Sequence, residues 1–202
     1  FTPKKIWCIG RNYVGHAKEL NHEIPKEPLV FLKSTSAIAG SGDFIRIPDW
    51  AGVIHYEGEL AVVIGLGGKN ITEEDALSHV AGYSIINDVT AREMQNTDGQ
   101  WMRSKSFDTF APFGPAVLLQ KELPASTVVR TMVNGCVKQQ SEISQMIFSV
   151  PKIIAHISRF ATLEQGDVIA TGTPEGVGPI VCGDIVEIEI DGIGKLRSIC
   201  SE

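Results

Sequence analysis

Two glutamates, Glu57 and Glu59, stand two residues apart at the head of the apolar run Leu60-Ala61-Val62-Val63-Ile64. In a strand, alternate side chains share a face, so both carboxylates project to one side together with Ala61 and Val63. Like charges on a partly apolar face repel, and they are costly to desolvate unless something positive lies between them. That partner is either a basic side chain or a cation, and a hard divalent ion is the economical candidate. A third acid, Asp88, closes the apolar stretch Tyr83-Ser84-Ile85-Ile86-Asn87. Strand ends commonly present site residues, although an Asp in such a place also suits a turn or a helix cap. Three carboxylates with no histidine or cysteine at ligand spacing suit Mg²⁺, Mn²⁺ or Ca²⁺ rather than zinc, with waters or substrate oxygens completing an octahedron. A second pair, Glu187 and Glu189, alternates with isoleucine and valine ahead of an Asp191-Gly192 turn and reads as a solvated strand face. It serves as an internal control.

Other residues with chemical potential surround these acids. His16 and Glu19 are three apart on a short expected helix, so the carboxylate is placed to orient the imidazole, and the two together suit the activation of water. Arg92 and Gln95 follow Asp88 at spacings of four and seven, where Arg92 is positioned to clamp a substrate carboxylate. Lys105 has the form of an ordinary surface lysine. The glycine-rich stretch 171–179 lacks the Gly-Lys-Ser/Thr ending of a phosphate loop, and Thr173 within it reads better as a substrate contact. Gly65-Leu66-Gly67-Gly68 is a tight connection with no dinucleotide helix behind it, so no nucleotide cofactor is expected.

The elements that must hold these groups are mostly strands. Short β-rich runs separated by Gly and Pro fall at 6–9, 29–32, 60–64, 82–88, 116–119, 128–133, 167–170 and 185–190. Three helices are expected: 13–20, 72–80 with Thr72 as N-cap, and 151–160 with its proline in the first turn. The polar, proline-punctuated stretch 21–28 after the first helix is a candidate lid. At 202 residues the chain suits one β-rich domain, 1–202. Its net charge of −6 disfavours bulk nucleic-acid binding. Four scattered cysteines without a Cys-x-x-Cys pair suggest a reducing, cytoplasmic compartment. No apolar run approaches the roughly 18 residues of a membrane span. Phe1 is not an initiator methionine, which leaves room for a removed targeting segment.

Taken in order, Gly10-Arg11-Asn12-Tyr13 with His16 and Glu19, Phe31-Leu32-Lys33, Tyr56-Glu57-Gly58-Glu59-Leu60, Asn87-Asp88-Val89-Thr90-Ala91-Arg92, Gln100-Trp101 with Lys105-Ser106-Phe107-Asp108, and the loop from Thr171 to Pro179 closely resemble the fumarylacetoacetate hydrolase family over nearly the whole chain. The likeness is greatest to its small members, which include acylpyruvate hydrolases, oxaloacetate decarboxylases and enzymes of aromatic-acid breakdown. It implies an α+β, β-dominated fold, a mixed β-roll or sandwich of the family's C-terminal domain type, usually homodimeric. It also implies Mg²⁺ or Mn²⁺ on the carboxylates matching Glu57, Glu59 and Asp88, with Ca²⁺ as a substitute in vitro. Lys105 matches a lysine that the family places close to metal and substrate. Ser34 departs from the proline that many relatives carry there, and the stretch from Gln95 to Trp101 is compact. The activity so implied is cleavage of the C–C bond of acylpyruvates through a metal-bound enolpyruvate, with decarboxylation of oxaloacetate as a related reaction. Two alternatives remain at this level: an isomerase or decarboxylase of aromatic catabolism acting on 2-hydroxyhepta-2,4-diene-1,7-dioate, and a non-catalytic, metal-stabilised binding protein.

Overall fold

A computed structural model describes residues 2–21 and 23–202. Its centre is a seven-stranded mixed sheet. In spatial order the strands are Leu29–Lys33, Ile6–Gly10, Val168–Ala170, Gly58–Ile64, Val80–Asn87, Ala111–Leu118 and Ile38–Ala39. A five-stranded sheet holds Cys136–Glu142, Val128–Val133, Ile185–Ile190, Gly194–Ser201 and Phe44–Arg46, and a three-stranded one holds Gly178–Ile180, Ile54–Tyr56 and Thr90–Ala91. The Gly58–Ile64 strand is buried along its whole length, as its unbroken Leu-Ala-Val-Val-Ile run demands of a strand covered on both faces. By contrast Ile185–Ile190 alternates half-buried and buried residues, the pattern of a sheet with one wet face. Buried side chains from Ile6 to Cys200 join into one hydrophobic cluster shared by these sheets.

Among the described residues there are four short α-helices: α1 (Val14–Glu19), α2 (Arg92–Thr97), α3 (Met102–Lys105) and α4 (Val150–Phe160). In α4 the hydroxyl of Ser149 accepts from the Lys152 amide, Pro151 occupies the first turn, and Ile153, Ile154 and Ile157 are buried at helical spacing. None of these helices is long and apolar enough to cross a membrane.

One expected helix fails. Residues 72–80 form turns and a single 3-10 stretch, Ala76–His79, before Val80 enters the central sheet opposite Ile64. The Thr72 hydroxyl does cap, but it closes a turn by accepting from the Asp75 amide at 3.2 Å. Sheet pairing of Val80 and Gly82 outweighs the local capping signal, a case of tertiary context overriding propensity. The expected strand at 116–119 is the end of a longer one, Ala111–Leu118.

Candidate active site

The ladder between Gly58–Ile64 and Val80–Asn87 sets the geometry. Its register pairs Gly58 with Asn87, so the next residues outward, Glu57 and Asp88, face each other at the ladder end. The Asp88 amide donates to the Glu57 carbonyl at 2.8 Å, and the Glu57 amide to the Asn87 side-chain oxygen at 3.0 Å. One carboxylate oxygen each of Glu57, Glu59 and Asp88 falls within 4.8 Å of the others, and all three residues are buried.

Basic side chains, one of the two kinds of positive partner left open by the sequence, reach this cluster. Lys105, at the end of α3, bridges Glu57 at 2.8 Å and Asp88 at 2.7 Å. Lys33 reaches the other Asp88 oxygen at 2.6 Å and also donates to the Val89 carbonyl. Arg92 pairs with Glu57. Burial opposes the Lys105 ammonium, but Asp88 and Glu57 outweigh it and hold its pKa above the ordinary value. Burial likewise works against ionised Glu57, yet Lys105 and Arg92 leave its carboxyl well below the usual range. Glu59 is the exception. Among the described residues it has no cationic partner within salt-bridge reach, and its only hydrogen-bond donor is the Gly172 amide at 2.7 Å. Burial, reinforced by Asp88 and Glu57, pushes its pKa up. An all-oxygen set of three clustered carboxylates, one of them uncompensated, fits a hard divalent cation.

His16 is buried in α1, with Nδ1 3.4 Å from Glu19. Both Glu19 oxygens accept from the Gly176 amide, at 3.1 and 3.2 Å, which fastens α1 to the 171–179 loop. Gly172 in that loop has φ of +98°, and a Cβ there would meet the Cβ of Asn12 at 2.6 Å, so both backbone and packing require glycine. Asn12 is the hub of the junction. Its amide donates to the carbonyls of Thr171 and Phe148 and its oxygen accepts from the Phe148 amide. Burial, against the pull of Glu57 and Glu19, lowers the His16 pKa below the ordinary 6.5.

The sequence candidates meet around one cavity of about 270 Å³. Its wall includes His16, Glu57, Glu59, Asp88, Arg92, Gln95, Lys105 and Thr173, while Glu19 stands behind His16. Arg92 is heavily engaged: one terminal nitrogen donates to Glu57, the other to Gln95, and Nε to His55 at 3.3 Å. Burial and the adjacent Arg92 push His55 down to about 4, so it accepts as a neutral imidazole. The Thr173 hydroxyl donates to the Gly58 carbonyl at 3.0 Å and accepts from Gln139 at 2.7 Å. Lys33, His55 and Gln139 carry no site signal in the sequence beyond the motif that contains Lys33. Of the candidate lid, residues 23–28 form no helix or strand and only Pro28 is buried, while His22 lies outside the described residues.

A profile described as fumarylacetoacetate (FAA) hydrolase C-terminal matches residues 5–199. The chain belongs to the fumarylacetoacetate hydrolase family. Its relatives in this family include an oxaloacetate tautomerase of Bacillus subtilis, 45% identical over 207 residues, an alignment covering 96% of this chain and 69% of the relative. Among solved structures, a 2-hydroxyhepta-2,4-diene-1,7-dioate isomerase from Mycobacterium marinum superposes with a TM-score of 0.92 at 44% identity, covering 99% of this chain and 75% of that one. A fumarylpyruvate hydrolase from Pseudomonas aeruginosa, solved with Mn²⁺ and pyruvate, gives 0.92 at 35% identity, with 98% and 90% covered. The β-dominated fold with few helices is thus the family's fold, and these named members of the fumarylacetoacetate hydrolase family are enzymes.

Proposed function

We propose that this protein is a Mg²⁺- or Mn²⁺-dependent hydrolase that splits acylpyruvates at the C–C bond between the acyl carbonyl and the pyruvate methylene. The observation that carries the reading is the uncompensated Glu59 beside Glu57 and Asp88, on the same cavity wall as a buried histidine backed by a glutamate. Glu57, Glu59 and Asp88 would hold the cation, which when bound supplies Lewis-acid polarisation of the 2-oxo acid. The relative solved with Mn²⁺ and pyruvate supports this reading.

The chain's own groups account for the rest. His16, with Nδ1 directed to Glu19 and a lowered pKa, is neutral near pH 7 and takes a proton from water at Nε2. The water oxygen adds to the acyl carbonyl carbon. The C–C bond then breaks, its electron pair passes to the pyruvate fragment as an enolate, and return of a proton to the methylene carbon gives pyruvate and a carboxylate. Lys105, with two of its three donors on Glu57 and Asp88, would offer the third to the negative charge that develops on the enolate oxygen. Arg92 uses three of its five N–H groups inside the protein, so one N–H on each terminal nitrogen is left for a substrate carboxylate alongside Gln95. Thr173 has its proton committed to Gly58, so it meets substrate as an acceptor or through its backbone.

A second reading, proton transfer without water, is favoured by the relatives named as an oxaloacetate tautomerase and a heptadienedioate isomerase. Steady-state assay with Mg²⁺ on acetylpyruvate, oxaloacetate and a hydroxy-dienoate, beside His16→Ala, separates the two. Hydrolysis is expected to fall further than decarboxylation in His16→Ala, since only hydrolysis needs an activated water. Equal losses would remove the division of labour. We further take residues 1–202 as one catalytic domain, supported by its continuous core. A homodimer is the expected assembly, to be checked by light scattering.

A further inference from the structure

Arg11 stands out on the cavity wall. Two other charges there are matched inside the protein: Lys105 serves Glu57 and Asp88, and Asp98 is gripped by Arg103 at 2.9 and 2.6 Å. Arg92 is spent largely on Glu57 and Gln95. Arg11 has no ion pair among the described residues. Its guanidinium lies instead over the Trp101 ring, 5.7 Å from the centroid, in a cation–π stack that orients the group and leaves its donors free.

The backbone is committed to this placement. Arg11 takes φ of +57°, a left-handed conformation that a non-glycine residue adopts at a cost. Its neighbours lock it there. Gly10 ends a sheet strand where a Cβ would meet Trp101 at 2.7 Å, and Asn12 is held by three hydrogen bonds. Trp101 is packed edge-on against Phe31, with centroids 5.3 Å apart.

We propose that Arg11 is a specificity residue that receives a second carboxylate, so that the site selects 2-oxo dicarboxylates over monocarboxylates. This rests on the reading of the cavity as a 2-oxo acid site, and deepens it. Glu59 and Arg11 are then complementary: the first is the unmatched negative charge for the cation, the second the unmatched positive charge for the far end of the substrate. A planar guanidinium offers parallel N–H donors to a carboxylate, which lysine cannot reproduce.

The test uses binding and turnover together. With Mg²⁺ present, calorimetry compares 2-oxoglutarate with 2-oxopentanoate on the native protein and on Arg11→Gln and Arg11→Lys. The native protein should prefer the dicarboxylate by about ten- to a hundredfold, the range of a charge-assisted hydrogen-bonded pair. Arg11→Gln should erase that preference while leaving 2-oxopentanoate within about threefold, and Arg11→Lys should restore only part of it. In parallel, kcat/KM for fumarylpyruvate should fall in Arg11→Gln far more than for acetylpyruvate. No preference in the native protein, or a preference retained in Arg11→Gln, overturns the proposal. Selectivity in binding without cleavage of either acylpyruvate upholds Arg11 and removes the hydrolase reading. Failure of both 2-oxo acids to bind overturns both.

Discussion

The chain carries the same local pattern twice, Glu-x-Glu in a β-rich segment, and the two copies come to opposite ends. Glu187 and Glu189 lie on Ile185–Ile190, with side chains 22% and 39% exposed, and Lys195 approaches them at 3.6 and 3.9 Å. Glu57 and Glu59 are 4% and 2% exposed, and the strongest positive groups near them come from distant segments: Lys105, Arg92 and, through Asp88, Lys33. Spacing alone does not distinguish the pairs. The residues between and after them do: Ile and Val alternate with the second pair, whereas an unbroken apolar run follows the first. Burial then turns a solvated pair into an electrostatic demand, because desolvation leaves an unpaired carboxylate strongly destabilised.

The sharpest way to break the comparison is to remove one charge from the buried pair. Glu59→Gln keeps the side chain's shape, and we expect it to abolish turnover together with metal binding. Thermal scans give the second readout. Mg²⁺ at a hundred times its Kd should stabilise the native protein by about 2.7 kcal/mol, a rise in Tm of roughly 5 to 10 °C for a chain of this size. Glu59→Gln should show no such rise. A normal Mg²⁺ response, or full native activity in excess chelator, would sink the metal assignment.

Next in size is the loss of the bridging cation. Lys105→Met leaves Asp88 to Lys33 alone and Glu57 to Arg92 alone, so its cost should lie at or below the about 3–5 kcal/mol of a buried pair that loses its only partner. Urea unfolding should report it. Added Mg²⁺ should recover part of the loss, since a divalent ion restores positive charge to the same cluster. Lys195→Met, beside the exposed pair, should cost less than about 1 kcal/mol.

His16 supplies a smaller and pH-dependent effect. Its pKa lies below 6.5 in the folded protein, chiefly through burial, so the neutral base persists down to that lower value. The acid limb of kcat/KM should therefore fall below pH 6.5, and a bound cation would move it further down. The same shift has a stability consequence of matching sign. Where the folded pKa is the lower one, the unfolded chain binds the extra proton first, so stability is full above 6.5 and is lost as pH falls through it. His16→Gln should flatten both dependences and reduce acylpyruvate hydrolysis about 10²- to 10⁴-fold, the usual contribution of a positioned general base.

How far this was legible without coordinates depends on range. Periodicity located the Gly58–Ile64 and Ile185–Ile190 strands and the α4 helix, because each is specified by its own residues. It failed at 72–80, where the pairing of Val80 with Ile64 decides the outcome from sixteen positions away. The site behaves the same way. His16 with Glu19, and Glu57 with Glu59, were readable as neighbours in sequence. The bridging by Lys105 across 48 positions and by Lys33 across 55 was not, nor was the clamp of Gln139 on Thr173 across 34. Only the order of motifs hinted at the first two.

The exposed pair should give the smallest effect, and for that reason it is the control on which the comparison rests. Glu187 faces Arg197 across the ladder and Glu189 faces Lys195, so the two carboxylates have cationic neighbours on their own sheet. Both ends of these pairs are partly in water, where screening and side-chain entropy leave an ion pair worth about 0 to 1 kcal/mol. Replacing both glutamates with glutamine should move stability by no more than about 1 kcal/mol, leave Mg²⁺ affinity unchanged and leave turnover within about twofold. Salt should affect the native protein and the double variant almost equally. A loss of metal response in that double variant would mean that the two pairs communicate through Ile188, which packs against Gly58. Burial at the pair itself would then no longer explain why one Glu-x-Glu demands a cation and the other does not.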